Sequence, residues 1–351
     1  MKLYINGMSC ISPQHTYDNQ VFLKEVKEYM VNRLSCIEPD YAGLFADAAA
    51  RRMGRLMKYG SASGLMALKD AGIITPGAIS TGSALGLPEI SQKFLRHVIE
   101  SDETTVSPTA FIQSTHNTIS SNIALLTKCH AHNNTFSNRG FSFESALTDA
   151  RLIAAENLDN ILVGAYDEIS DYKYAAMLVA KELRNEPCSS LNILKQKSEG
   201  VIAGEGAAFF VLSKQRNDNS YGTLVNNSTF YKPDGKEDIV RRILTFLKEN
   251  NIGLKNLDTV ISGVSGDNIS DRIADELNAE LFSEQTIVAY KHLCGEYMTS
   301  SAFAFWLAAQ MMKTQQIPEV VILKNQNRRP RNILFYNCYL GYHSLMLFAH
   351  V

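Results

Sequence analysis

An α/β fold built from two similar halves is what this 351-residue sequence predicts. Short apolar runs of strand length alternate with longer segments at helical spacing from end to end. The run 160–167, NILVGAYD, is almost entirely apolar between polar flanks, as a strand covered on both faces requires. The strand–helix rhythm starts again after residue 220, which suggests an internal duplication. With 45% hydrophobic and 20% charged residues, the chain has ample material for a large core. No linker-like or low-complexity stretch divides it, so one compact body with halves 1–215 and 216–351 is expected.

In order, residues 3–11 read as a strand. Residues 52–72 read as a long helix, with Met53, Leu56, Met57, Gly60, Gly64 and Leu68 near helical spacing and Gly72 closing it. A short strand covers 77–81, and a small-residue turn at 83–86 leads to a helix starting near Pro88. A helix at 114–128 precedes a strand at 134–138, a glycine turn and a helix at 142–156. After the strand at 160–167, residues 199–214 read as a glycine-bent hairpin. The second half alternates strand 221–231, helix 236–250, strand 259–264, helix 268–281, strand 286–290 and helix 298–313. A strand at 320–324 and two closing strands at 332–339 and 343–350 complete it.

Several functions are disfavoured at this level. A net charge of −2 with no basic run beyond Arg328-Arg329-Pro330-Arg331 argues against nucleic-acid binding. No apolar run reaches the roughly 18–20 residues that span a bilayer. The N-terminus, MKLYINGMSCIS, lacks the apolar core of a signal peptide. Six scattered cysteines without a CxxC pair speak against a zinc site or a disulfide framework, so a reduced, cytoplasmic protein is expected.

Five segments carry a resemblance over nearly the whole chain. They are RRMGRLMKYGSASGLMALKDAG (51–72), SPTAFIQSTHNTISSNIAL (107–125) and the strand–turn–helix at 134–151. The others are NILVGAYDE with EGVIAGEGAAFFVLSK (160–168, 199–214), and YKHLCGEYMTSSAFA with NCYLGYHSLMLF (290–304, 337–348). In order and spacing the chain resembles the β-ketoacyl-acyl-carrier-protein synthases of the thiolase superfamily. The resemblance implies a thiolase-like fold, two βαβαβαββ halves packed as five layers (α/β/α/β/α).

The same resemblance implies where the chemistry should lie. Such a synthase needs a thiol at a helix N-terminus and two histidines that polarise a carbonyl. The family's cysteine falls at Arg139, with Asn138 or Gly140 as the one-residue alternatives. The first histidine turn reads Ser262-Gly263-Val264. The second reads Lys291-His292-Leu293-Cys294-Gly295-Glu296, so Glu296 takes the histidine's place while Lys291 is retained. This pattern is similar to the chain-length-factor type of subunit, as found in aryl-polyene and flexirubin-type pathways. A protein inactive alone is therefore expected, paired with an active ketosynthase and served by an acyl carrier protein. No resident cofactor is implied, only the carrier's phosphopantetheine arm as a transient ligand. The strand 134–138 and the helix 114–128 would form the dimer surface. The alternatives are a working acyltransferase with another nucleophile, and a homodimeric acyl-binding protein.

Other residues can be read two ways. Arg139 and Glu296 would form an ion pair plugging the dead site, or Arg139 would turn outward. Thr115 and His116 are candidates for the tunnel or interface, although a histidine bridging backbone groups is the ordinary case. Phe111, Phe136 and Phe141 would narrow an acyl tunnel or simply pack. Cys294 and Cys129 are substitute nucleophiles only if they are not inert buried thiols. Ser142 is a hydroxyl beside the turn with no mapped histidine to activate it, and so more naturally part of the helix's first turn. Gly204-Glu205-Gly206 lacks the lysine and helix of a phosphate loop.

Overall fold

Strand β1 (Leu3–Ile11) is buried along almost its whole length instead of alternating, which marks it as an interior strand. The computed structural model describes residues 1–104, 106–185 and 188–351, leaving aside the side chain of residue 49. The first half adds β2 (Ala78–Gly82), β3 (Asn133–Phe136), β4 (Ile161–Asp167) and β5 (Gly206–Ser213). Its helices are α1 (Asp47–Ala50), α2 (Arg55–Ala71), α3 (Pro88–Glu100), α4 (Pro108–Gln113), α5 (Thr118–Thr127), α6 (Ser142–Ala155) and α7 (Asp171–Val179). The second half has strands β6 (Gly222–Tyr231), β7 (Thr259–Ser262), β8 (Thr286–Ala289), β9 (Ile322–Lys324), β10 (Asn332–Tyr339) and β11 (Tyr342–Ala349). Its helices are α8 (Gly235–Glu249), α9 (Arg272–Ala279), α10 (Lys291–Cys294) and α11 (Ser301–Thr314).

The strands form one continuous ladder in the order β3-β2-β4-β5-β1-β6-β11-β10-β7-β8-β9. Outward from the β1–β6 contact, both sides repeat one pattern. On the first side, β1–β5 and β5–β4 are antiparallel, then β4–β2 and β2–β3 are parallel. On the other, β6–β11 and β11–β10 are antiparallel, then β10–β7 and β7–β8 are parallel. Only β9 has no counterpart, and it adds antiparallel to β8. The two halves thus share a pairing scheme that sequence rhythm alone had only suggested.

Three apolar clusters explain how the helices sit. One packs α2 and α5 on the first half's strands, through Leu56, Tyr59, Ile119, Ile123 and Phe209. Another packs α8 and α9 on the second half, through Ile239, Ile243, Leu277 and Phe282. The largest joins α6 and α11 to strands of both halves. Every residue of α11 from Ser301 to Met312 is buried, so this helix is apolar on all sides because it is enclosed on all sides.

Several boundaries differ from the sequence reading. The helix expected at 114–128 is α5 alone and begins only at Thr118, because Ser114–Asn117 form a turn after the unpredicted α4, in which Ser114 caps α4 and Thr115 bonds Ile112 and Thr118. The expected hairpin at 199–214 is a single strand, β5. Its first arm runs as isolated bridges, Val201 to Leu183 and Ala203 to both Arg33 and Glu296. The helix expected at 298–313 is preceded by the separate short α10, and α7 carried no strong signal. The strand at 134–138 stops at Phe136, since the chain turns sharply two residues later.

Gly164 illustrates how tightly this core is filled: a Cβ there would lie 2.3 Å from Cδ1 of Phe209. Gly164→Ala should therefore lower the unfolding free energy by about 1–3 kcal/mol through overpacking, measured by urea denaturation.

Candidate functional site

The elbow that the sequence singled out is a strained one. After β3 the backbone reverses at Arg139, which has φ +46°, a left-handed conformation that side-chain-bearing residues seldom adopt. Ser142 holds this turn. Its hydroxyl accepts from the Asn138 N–H at 2.9 Å and donates to the Arg139 carbonyl at 2.8 Å. Both capacities of a fully buried hydroxyl are thereby used. On the other side Gly140 lies against Tyr342, where a Cβ would sit 2.8 Å from the tyrosine's Cβ. Phe141 meets the same ring edge-on at 4.8 Å. The turn between β10 and β11 therefore closes over the elbow, and the Arg139 side chain is exposed.

The facing wall comes from the end of β8. Lys291 and Glu296, on either side of Gly295, form an ion pair with Nζ to Oε2 at 2.5 Å, and their side chains are 1% and 2% exposed. The ammonium also lies 5.8 Å from the ring centre of Tyr339 and 5.9 Å from that of Tyr290. Burial pushes the Glu296 carboxyl above its ordinary value, and Lys291 opposes that shift. The expected Arg139–Glu296 pair does not form. A buried lysine one turn away satisfies Glu296 internally, while Arg139 reaches solvent and avoids the cost of desolvation.

The backbone around Glu296 is pinned as well. Gly204 donates to its carbonyl at 3.0 Å, and its own N–H donates to Ile202 at 2.7 Å. A Cβ at Gly204 would stand 1.9 Å from the Cys294 carbonyl oxygen, so Gly204-Glu205-Gly206 serves close backbone approach. Glu205 pairs with Arg55 at 2.6 Å and accepts from the Cys36 N–H at 2.8 Å. Asp167 links the halves: its carboxylate accepts from Ser83 and Ala84 of the first and from Thr299 of the second.

The remaining candidates are scattered. Ser262 ends β7, fully buried, and accepts from the Asn278 amide at 3.0 Å. Cys294 is fully buried, and burial together with Glu296 pushes its thiol well above its usual value, the reverse of what a nucleophile needs. Cys129 precedes β3, at the opposite end of that strand from the elbow, and its thiol donates to the Pro76 carbonyl at 3.4 Å. Thr115 is committed within its turn. His116 is exposed, with its ring against Gly86, and its carbonyl accepts from Tyr166 at 2.9 Å. Phe111 is exposed and contacts Phe94, whereas Phe136 packs on the central cluster.

Sequence reasoning missed an open apolar groove of about 790 Å³ between α3 and α7. Leu85, Leu95, Ile99, His116, Tyr172 and Ala176 line it, with Arg96 and Lys173 among its polar groups. Leu85 follows β2 and Tyr172 follows β4, so the groove opens at the same end of the sheet as the elbow. A signal was available: α3 is strongly two-faced, yet none of its residues is buried.

Residues 48–224 match the family model described as "Beta-ketoacyl synthase, N-terminal domain". The chain belongs to the β-ketoacyl synthase family. Among solved structures, the ishigamide ketosynthase/chain length factor superposes with a TM-score of 0.80 at 14% identity, over 100% of this chain and 99% of that one. A β-ketoacyl synthase from Burkholderia phymatum STM815 gives 0.79 at 17% identity, with the same coverage. The AntDE:AntF structure, a type II polyketide acyl carrier protein in complex with its ketosynthase bound to the hexaketide, gives 0.74 at 15% identity, again over 100% and 99%. At these identities the likeness establishes the fold. No curated protein matches the chain by sequence. Among the described residues no helix is long and apolar enough to cross a membrane.

The buried pair makes an energetic prediction. Lys291→Ala strands a buried carboxylate and should cost about 3–5 kcal/mol, whereas Lys291→Met with Glu296→Leu should be close to neutral, both by denaturant titration. A double-mutant cycle on Arg139 and Glu296 should show no coupling.

Proposed function

We propose that this chain is a non-condensing, ketosynthase-like subunit of the chain-length-factor type. It pairs with an active ketosynthase of a type II system and helps to hold an acyl chain delivered by an acyl carrier protein. The observation that carries this reading is the elbow itself. The strained turn persists with Arg139 at its vertex, and the buried Lys291–Glu296 pair stands where the second histidine would be. A family member with its scaffold intact and no thiol at the vertex has lost acyl-enzyme formation while keeping a reason to fold this way.

Two features support the assembly part. β3 is an open sheet edge. Beside it Leu125 is 79% exposed on α5, and Ile112 and Phe111 are 64% and 57% exposed on α4, so an apolar surface adjoins an unpaired strand. The groove between α3 and α7 supports the acyl part, because it is apolar and opens beside the elbow. We read 1–215 and 216–351 as the two repeated halves, with Asp167 tying them together. The subunit needs no resident cofactor in this reading, and the phosphopantetheine arm visits from the carrier. Its six free cysteines suit the reducing cytoplasm.

Co-expression with ketosynthases from the same genome tests the proposal by size exclusion and intact mass. A 1:1 complex whose condensation activity requires both chains is expected, and Leu125→Asp with Ile112→Asp should abolish it. A homodimer indifferent to every ketosynthase would instead favour an acyl-binding protein. Within an active complex, Ala176→Trp should shorten the acyl products read by mass spectrometry, because it fills the groove.

A further inference from the structure

Glu144 lies in the first turn of α6, two residues beyond the serine that stitches the elbow. Its side chain is 1% exposed, and neither carboxyl oxygen has a hydrogen-bond partner. Ser301 of α11 and Ser344 of β11 are its nearest polar neighbours, and the Ser301 hydroxyl is itself unpartnered. The surroundings are otherwise aromatic: Phe143, beside Glu144 in α6, meets Phe305 of α11 at 5.8 Å.

Among the described residues no cation balances this acid. From the end of β8, Tyr290 is the ionisable group that feels its charge, and the Tyr290 hydroxyl is shared with Ser300. Beyond it Lys291 is committed to Glu296. From β6, Asn227 donates its amide to the Glu144 backbone carbonyl. Within α6, Asp149 is bound to Ser80 of β2 and Arg151 to Met1. On β11 the neighbouring His343 bonds Tyr336 of β10. Arg139 in the preceding turn is exposed.

We propose that Glu144 is a proton-sensitive keystone: the α6–α11 seam closes on its neutral acid and loosens when the carboxylate forms, moving the elbow that α6 begins with. A neutral carboxyl loses little by burial beside two serines. A carboxylate there has no cation, and only the Ser301 and Ser344 hydroxyls and its own backbone N–H are near enough to ease its charge, none in hydrogen-bond geometry, so ionisation favours an outward shift of the first turn of α6. Burial pushes the group from 4.5 up to about 7, opposed by Ser301, by its own backbone N–H and by Ser344. Because the folded value is raised, the folded state keeps a proton that the unfolded chain releases between 4.5 and about 7. Stability from this group is full below that window, falls as pH rises through it and is constant above. The elbow is therefore held most tightly in mild acid and becomes looser near neutrality.

The test compares wild type, Glu144→Gln and Glu144→Asp by urea denaturation from mild acid to mild alkali, with amide hydrogen exchange on residues 139–150. The folding constant of Glu144→Gln relative to wild type should rise about tenfold per pH unit within the window and level off above it. Exchange in the first turn of α6, corrected for the intrinsic rate, should accelerate over the same range in wild type but not in Glu144→Gln. A ratio independent of pH would overturn the proposal. Glu168 is another buried carboxyl raised to about 7, so Glu168→Gln is the control. It should leave the effect intact, and loss of the effect in that variant would reassign the device and overturn the proposal. If Glu144→Gln does not fold, the wild-type exchange profile and Glu144→Asp decide. Acceleration confined to the first turn of α6, and retained in the aspartate variant, supports the keystone; none overturns it.

Discussion

The seam between α6 and α11 sets everything that happens at the site. α6 starts at the elbow, and α11 follows the 291–296 segment, so the packing of these helices ties the two segments to one core. Its aromatic contacts centre on Phe305. Phe305 of α11 lies 4.2 Å from Phe210 of β5 and packs edge-on to Phe143 of α6 and Phe348 of β11. A helix as fully enclosed as α11 leaves little room for adjustment. Charge near this core is paired at Lys291–Glu296, left without a cation at Glu144 and turned to solvent at Arg139.

These solutions accord with the non-condensing role proposed above. A working elbow spends backbone strain to present a nucleophile. Here the strain persists and is supported by Ser142, Gly140 and the β10–β11 turn, while the vertex side chain faces solvent. After β8, Lys291 and Glu296 form a closed, buried ion pair. Together they fix the shape of the elbow and of the 291–296 segment by backbone and side-chain contacts.

Much of the fold was legible because each strand's burial pattern shows in its apolar run. Residues 160–167 read as a covered strand, and the structure places β4 between β2 and β5. The family resemblance located Arg139, Ser262, Lys291 and Glu296 because the glycines and small residues around them are fixed by close backbone contacts, as at Gly204 against Cys294. What sequence missed depends on distant partners. Nothing local shows that Lys291, and not Arg139, reaches Glu296. Nor does composition show that Asp167 bonds across to Thr299, or that α3 and α7 leave an apolar groove between them. The late start of α5 was hidden because the side-chain hydrogen bonds of the turn at 114–117 compete with a helical pattern that looks continuous.

The most direct test of the central claim is acyl-enzyme trapping. The purified chain, alone and with a partner ketosynthase, is incubated with acyl and malonyl thioesters and read by intact-protein and peptide mass spectrometry. The account predicts no acyl adduct on this chain in either sample, with acylation confined to the partner. A stoichiometric adduct on Cys294, or on any other residue of this chain, would contradict it.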